Sequence, residues 1–74
     1  MITNEQVGRA LRALRYLDGR NASQFAAIVG CSTGKLHHIE RGSAVLSATA
    51  LLYILDEFDL TPNEFLALGD PSCE

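Results

Sequence analysis

The side chains with most to offer a ligand crowd into one short stretch, Thr33-Gly34-Lys35-Leu36-His37-His38-Ile39-Glu40-Arg41. At about 100° per residue in a helix, Leu36 and Ile39 share one side, while Gly34, His37, His38 and Arg41 point the other way with Thr33 and Lys35 at the flanks. That outer face supplies hydrogen-bond donors and positive charge, which suits a polyanion. It suits a metal poorly, because adjacent helical histidines point about 100° apart and no third ligand is spaced to join them. Cys31 and Cys73 form neither a ligand spacing nor a disulfide framework. No Ser/His/Asp or Cys/His arrangement is suggested, so neither catalysis nor a cofactor is expected.

Positive charge continues upstream. Arg9, Arg12 and Arg15 recur every three residues, along one slowly drifting edge of an earlier helical segment. All six Lys/Arg lie before residue 44, where the segment nets +3, whereas residues 44 to 74 carry six acids and no Lys/Arg. The total of −3 therefore hides a division between one end that can meet phosphates and one that cannot.

Helices must hold these groups in place. Thr3 or Asn4 can cap a first helix running to about Asp18, with Val7, Leu11, Leu14 and either Tyr16 or Leu17 as its apolar stripe and Gly19 as its stop. Asn21 and Gln24 have capping-box spacing and open a second helix through Val29, whose inner face is Phe25, Ala26 and Val29. Gly30-Cys31-Ser32 is a turn of the length that joins two helices in a helix-turn-helix. Ser32 caps a third helix with the body Thr33 to Arg41, closed by a left-handed Gly42. Ser47 caps a fourth helix reaching Phe58, so apolar around its circumference that it should be buried by more than one neighbour. Thr61-Pro62-Asn63-Glu64 starts a fifth helix, which Gly69-Asp70-Pro71 stops. The fold class is all-α, a compact five-helix bundle, with one domain over residues 1–69 and a short flexible tail at 70–74.

Seventy-four residues with 47% apolar content suit one small core. No apolar run approaches the roughly 20 residues that span a membrane. With thiols in neither framework, the chain is expected in the cytoplasm, associated with the nucleoid.

The pattern resembles the Cro-type phage-repressor, or XRE, family of helix-turn-helix DNA-binding proteins over roughly residues 7 to 68. The residues that carry the resemblance are Val7-Gly8-x-x-Leu11-Arg12-x-Leu14-Arg15-x-x-x-Gly19 and Phe25-Ala26-x-x-x-Gly30-x-Ser32-x-x-x-Leu36-x-x-Ile39-Glu40-x-Gly42. The resemblance implies a recognition helix starting at Ser32 and lying in the major groove of double-stranded DNA. It places Thr33, Gly34, Lys35 and His38 at base-reading positions. It leaves Arg9, Arg12, Arg20, Asn21, His37 and Arg41 for the DNA backbone, and it makes Arg15 and Glu40 a structural ion pair. Two positions depart from the family: Ala22 stands where a phosphate-binding glutamine is common, and Arg20 stands where a buried aliphatic is usual.

The function implied is a sequence-specific transcriptional regulator, a repressor that binds a palindromic operator as a homodimer through its acidic C-terminal half. Ile28, Tyr16 and Tyr53 stand at positions often polar in the family, and with Val45-Leu46 they offer material for an interface. The alternative is a protein-binding helix-turn-helix module, antitoxin or antirepressor-like, whose main partner is another protein. The net charge, Ala22 and Gly34, which has no side chain with which to read a base, favour that alternative.

Overall fold

Helix starts are where this chain speaks most clearly, and in the computed structural model, which describes residues 2–70, each of five helices begins on a hydroxyl or amide cap. Helix α1 (Asn4–Asp18) opens with the Thr3 hydroxyl accepting from the Gln6 N–H at 3.1 Å, while Gln6 Oε1 accepts from the Thr3 N–H at 2.7 Å. Asn21 and Gln24 repeat this exchange for α2 (Ala22–Val29), and Thr61 and Glu64 for α5 (Pro62–Leu68), with Pro62 supplying a preset first turn. Single serine caps, Ser32 and Ser47, start α3 (Thr33–Glu40) and α4 (Ala48–Glu57). There is no strand among the described residues, and no helix among them is long and apolar enough to cross a membrane.

Every helix contributes one large, fully buried side chain to the centre: Leu11, Phe25, Leu36, Ile54 and Phe65, in chain order. Each is worth roughly 2 kcal/mol of burial, so no single helix dominates the core. Packing follows a simple scheme in which α1 lies against α3 and α5, while α2 lies against α3 and α4. Helix α3 is thereby held by two others. Its N-terminus follows the turn from α2, where Gly30 adopts the left-handed conformation and the Gly30 and Cys31 amides both donate to the Ala26 carbonyl.

The other end of α3 rests on α1. Gly8 faces the last turn of α3 so closely that an added Cβ would strike the Ile39 carbonyl oxygen and lie 2.7 Å from that of Glu40. The α1–α3 crossing is close enough to exclude any side chain at position 8.

Three expectations need correcting. Tyr16 and Leu17 are 62% and 72% exposed, and α1 fills its side of the core with Ala10, Leu11 and Leu14 instead, because the shorter residue suits the tight crossings. The third helix stops at Glu40 with Arg41 as its cap residue, one position earlier than expected, and Gly42 follows at φ +82°. Helix α4 is covered on one side only: Ile54 and Leu55 are buried, while Leu52 and Tyr53 are 65% and 50% exposed. Its apolar circumference exceeds what α2 and the neighbouring core can cover. Of the tail expected at 70–74, Asp70 is described; Cys73 and the other residues lie outside the described range.

Candidate nucleic-acid interface

Helix α3 is anchored through its inner face, where Leu36 and Ile39 are buried at 0% and 2% exposure, and this leaves the opposite face turned outward. Gly34, Lys35, His37, His38 and Arg41 are exposed and Thr33 is half-buried. Around Gly34 a Cβ would meet nothing within 4 Å, so the helix presents bare backbone there. A ligand can approach the α3 main chain at that point more closely than anywhere a side chain stands.

At the C-terminal end of this face, the exposed His38 side chain is held in place by its neighbours. Its Nδ1 lies 3.2 Å from the Ser43 hydroxyl and 3.3 Å from Arg41 Nη2, and the Ser43 hydroxyl also donates to the His38 carbonyl at 3.1 Å. These contacts tie His38, Arg41 and Ser43 into one cluster that closes the helix.

The orientation of α3 relative to α1 is set by an ion pair. Arg15 Nε donates to Glu40 Oε2 at 2.7 Å and Arg15 Nη2 donates to Glu40 Oε1 at 3.0 Å, a two-pronged contact with side-chain exposures of 15% and 6%. The bond from Glu40 raises the guanidinium above its usual range, in spite of partial burial. Glu40 is the buried charged residue among those described, and its carboxylate is satisfied by this fork.

Beside the fork lies an open cleft of about 300 Å³ between α1 and α3, lined by Arg12, Arg15, His37, Glu40 and Arg41. Arg12, His37 and Arg41 are thus brought together around one depression. Tyr16 adds to this group although the sequence reading placed it among candidates for the core. Its hydroxyl accepts from Arg12 Nε and Nη2 at 3.2 and 3.1 Å, and the Arg12 and Arg15 guanidinium carbons sit 5.4 and 4.9 Å from its ring centroid. The bonds from Arg12 hold the phenol below its ordinary range. The signal was available in the sequence, since Arg12 and Tyr16 are four apart on one helix. Ser43 had no comparable signal, being a loop residue.

The remaining cationic positions are dispersed. Arg9 lines a separate cleft with Gln6, Asn63, Leu66 and Gly69 beside α5. Arg20 is exposed but its Nε lies 3.3 Å from Asp18 Oδ2, which offsets its charge. The Asn21 side-chain oxygen is committed to the α2 cap, accepting from the Gln24 N–H at 2.8 Å.

Among the described residues, no group of three or more His, Cys, Asp or Glu is placed to hold a metal ion. Cys31 is half-buried and burial pushes its thiol up, which disfavours the reactive thiolate.

In comparison with known proteins, the model of a family described as a helix-turn-helix domain matches residues 6–68, from the first turn of α1 to the end of α5. No curated protein and no solved structure matches the chain.

Proposed function

Because the chain belongs to this helix-turn-helix domain family, we propose that it is a sequence-specific DNA-binding transcriptional regulator, a repressor that occupies a palindromic operator as a homodimer. Helix α3 enters the major groove with Thr33, Gly34, Lys35 and His38 toward base edges. Arg12, His37 and Arg41 meet one stretch of DNA backbone, and Arg9, Arg20 and Asn21 serve more peripheral phosphates. The arrangement of α3 carries this reading: an exposed polar and cationic face on a helix braced from behind by Leu36, Ile39 and the Arg15–Glu40 fork. Bracing matters because base readout requires the side chains to arrive in a fixed register.

Selection from random duplexes followed by binding at two salt concentrations tests the reading. Contact with about four phosphates per subunit predicts a log–log salt slope of roughly −3.5 on a single half-site and about twice that for the dimer on its operator, and replacing Arg12 or Arg41 with Gln makes the slope shallower by about 1 per subunit. Absence of duplex binding at low salt would sink it. A second reading, a module whose main partner is another protein, draws on the net charge of −3 and on the apolar residues exposed along α4.

A further inference from the structure

The outward face of α4 is a feature that the α3 interface does not use. Its exposed positions, Ala48, Thr49, Leu52, Tyr53, Asp56 and Glu57, recur at helical spacing and make one continuous stripe. The stripe is graded: small residues at the N-terminal end, Leu52 and Tyr53 in the middle, carboxylates at the C-terminal end. Beside it, a groove of about 410 Å³ between α2 and α4 is lined by Ala27, Ile28, Thr49, Ala50 and Tyr53.

The grading is unfavourable within one molecule. A helix C-terminus carries partial negative charge, yet α4 places Asp56 and Glu57 there with no base in its last turn. Its N-terminus, which favours an acid, has none in the first turn. Both mismatches are repaired by the same helix running the opposite way. We propose that α4 is the contact between two copies of this chain, packed antiparallel about a two-fold axis that passes between Leu52 and Tyr53.

In that arrangement Leu52 lies opposite the partner's Tyr53, at the edge of the α2–α4 groove. Asp56 and Glu57 of each copy lie over the partner's Thr49 and Ala48, against the positive end of its helix. A parallel pairing sets four carboxylates against one another, and no Lys or Arg between residues 44 and 74 is present to relieve them. A two-fold axis makes the patch self-complementary, as an isologous interface requires. Because α4 is only about 15 Å long, the contact is at the small end for stable association, and the free chain is a weak dimer. Two half-sites on one duplex supply the effective concentration that completes it. The inference rests on the two-site regulator reading for its purpose but not for its geometry.

Cysteine cross-linking of the whole chain, with Cys31→Ala and Cys73→Ser as background and folding checked by circular dichroism, tests the geometry. Under mild oxidation Leu52→Cys gives a disulfide-linked dimer. Glu57→Cys alone gives none, because antiparallel packing separates the two copies of position 57 by about 13 Å along the helix. Glu57→Cys mixed with Ala48→Cys gives a linked heterodimer. No linkage through Leu52→Cys at several hundred micromolar protein, or self-linkage of Glu57→Cys, overturns the proposal. In parallel, Leu52→Glu/Tyr53→Glu keeps the affinity for a single half-site and loses about tenfold on a duplex with two. If the chains cross-link as expected but bind no duplex, the operator reading falls and the α4 contact stands. If they bind duplex without cross-linking, the contact falls alone.

Discussion

The α1–α3 half supplies most of the core, and the α4–α5 half differs from it also in what it leaves outside. Each of the five helices gives one fully buried large residue, but of the eleven buried apolar residues among those described eight belong to α1–α3 and three, Ile54, Leu55 and Phe65, to α4–α5. Outside, the first half carries all six Lys/Arg, and its one buried carboxylate, Glu40, is spent on holding α3 to α1. The second half carries six acids and no Lys or Arg, and its bare apolar side chains, Leu52 and Tyr53 at 65% and 50% exposure, have no cation beside them of the kind that Arg12 and Arg15 provide for Tyr16. One half is braced for presentation, and the other is left incomplete. The division teaches that fold and function are written on separate residues here: the five core anchors specify the bundle, and the side chains they turn outward specify what it meets.

Breaking the brace has the largest expected effect. Glu40→Ala leaves the Arg15 guanidinium, only 15% exposed, without its partner, which costs about 3 kcal/mol and lowers the melting midpoint by more than about 10 °C. Arg15→Met/Glu40→Leu removes both charges and costs less than either single truncation. Thermal melts of Glu40→Ala, Arg15→Ala and the double variant decide this, and a double variant as unstable as Glu40→Ala would show that the fork itself, rather than the stranded charge, stabilises the crossing.

Two helical glycines in the same half sharpen the contrast between brace and presentation. Gly8→Ala drives a Cβ into the Ile39 and Glu40 carbonyls and destabilises by about 2 kcal/mol. Gly34→Ala meets open space and stabilises by up to about 1 kcal/mol from helix propensity, yet it weakens duplex binding by occupying the bare backbone surface. Denaturant titration paired with duplex binding separates the two. A Gly34→Ala variant that gains stability and loses no affinity would show that the main chain there touches nothing.

Much of this was legible beforehand, and the reasons are local. Thr3, Asn21, Ser32, Ser47 and Thr61 announce helix starts because capping is a contest decided within four residues. Exposure was less legible. Tyr16 and Leu17 continue the apolar stripe of α1, but whether a neighbour covers them depends on where α3 and α5 cross, which no local rule encodes. Leu52 and Tyr53 posed the same problem on α4. At the candidate interface, the outward set on α3 followed from the period once Leu36 and Ile39 were taken as inner. The splitting of the arginines did not follow, since Arg9 beside α5 and Arg12 beside α3 are one helical turn apart and the dividing line is a tertiary contact.

Tyr16 offers a test of a different kind. With Tyr53→Phe leaving it as the lone tyrosine, Tyr16 ionises below its ordinary value of 10 because Arg12 bonds the phenolate, and Arg12→Gln moves the transition upward. Ultraviolet absorbance of the tyrosinate follows it directly. An unchanged transition in Arg12→Gln would mean that Arg12 swings free of Tyr16 in solution.

The smallest effect distinguishes the halves by their caps. Helices α1 and α2 close their capping boxes with neutral Gln6 and Gln24, whereas α5 uses Glu64, whose Oε1 accepts from the Thr61 N–H at 2.9 Å. That backbone bond, with the Thr61 hydroxyl, holds the Glu64 carboxyl below its usual value. A carboxyl depressed on folding contributes stability above its unfolded pKa, and the contribution disappears as pH falls through the folded pKa. Acid therefore loosens the α5 start and leaves the α1 and α2 starts untouched. Glu64→Gln keeps a box-forming side chain and removes only the charge, so it should melt slightly below wild type at neutral pH and level with it once the wild-type carboxyl is protonated. Amide exchange at Asn63 and Glu64, compared with that at Glu5 and Gln6 across the same acid range, locates the loss. Equal deficits for Glu64→Gln at both pH values would place the difference in the shape of the side chain, and the two halves would then be capped alike.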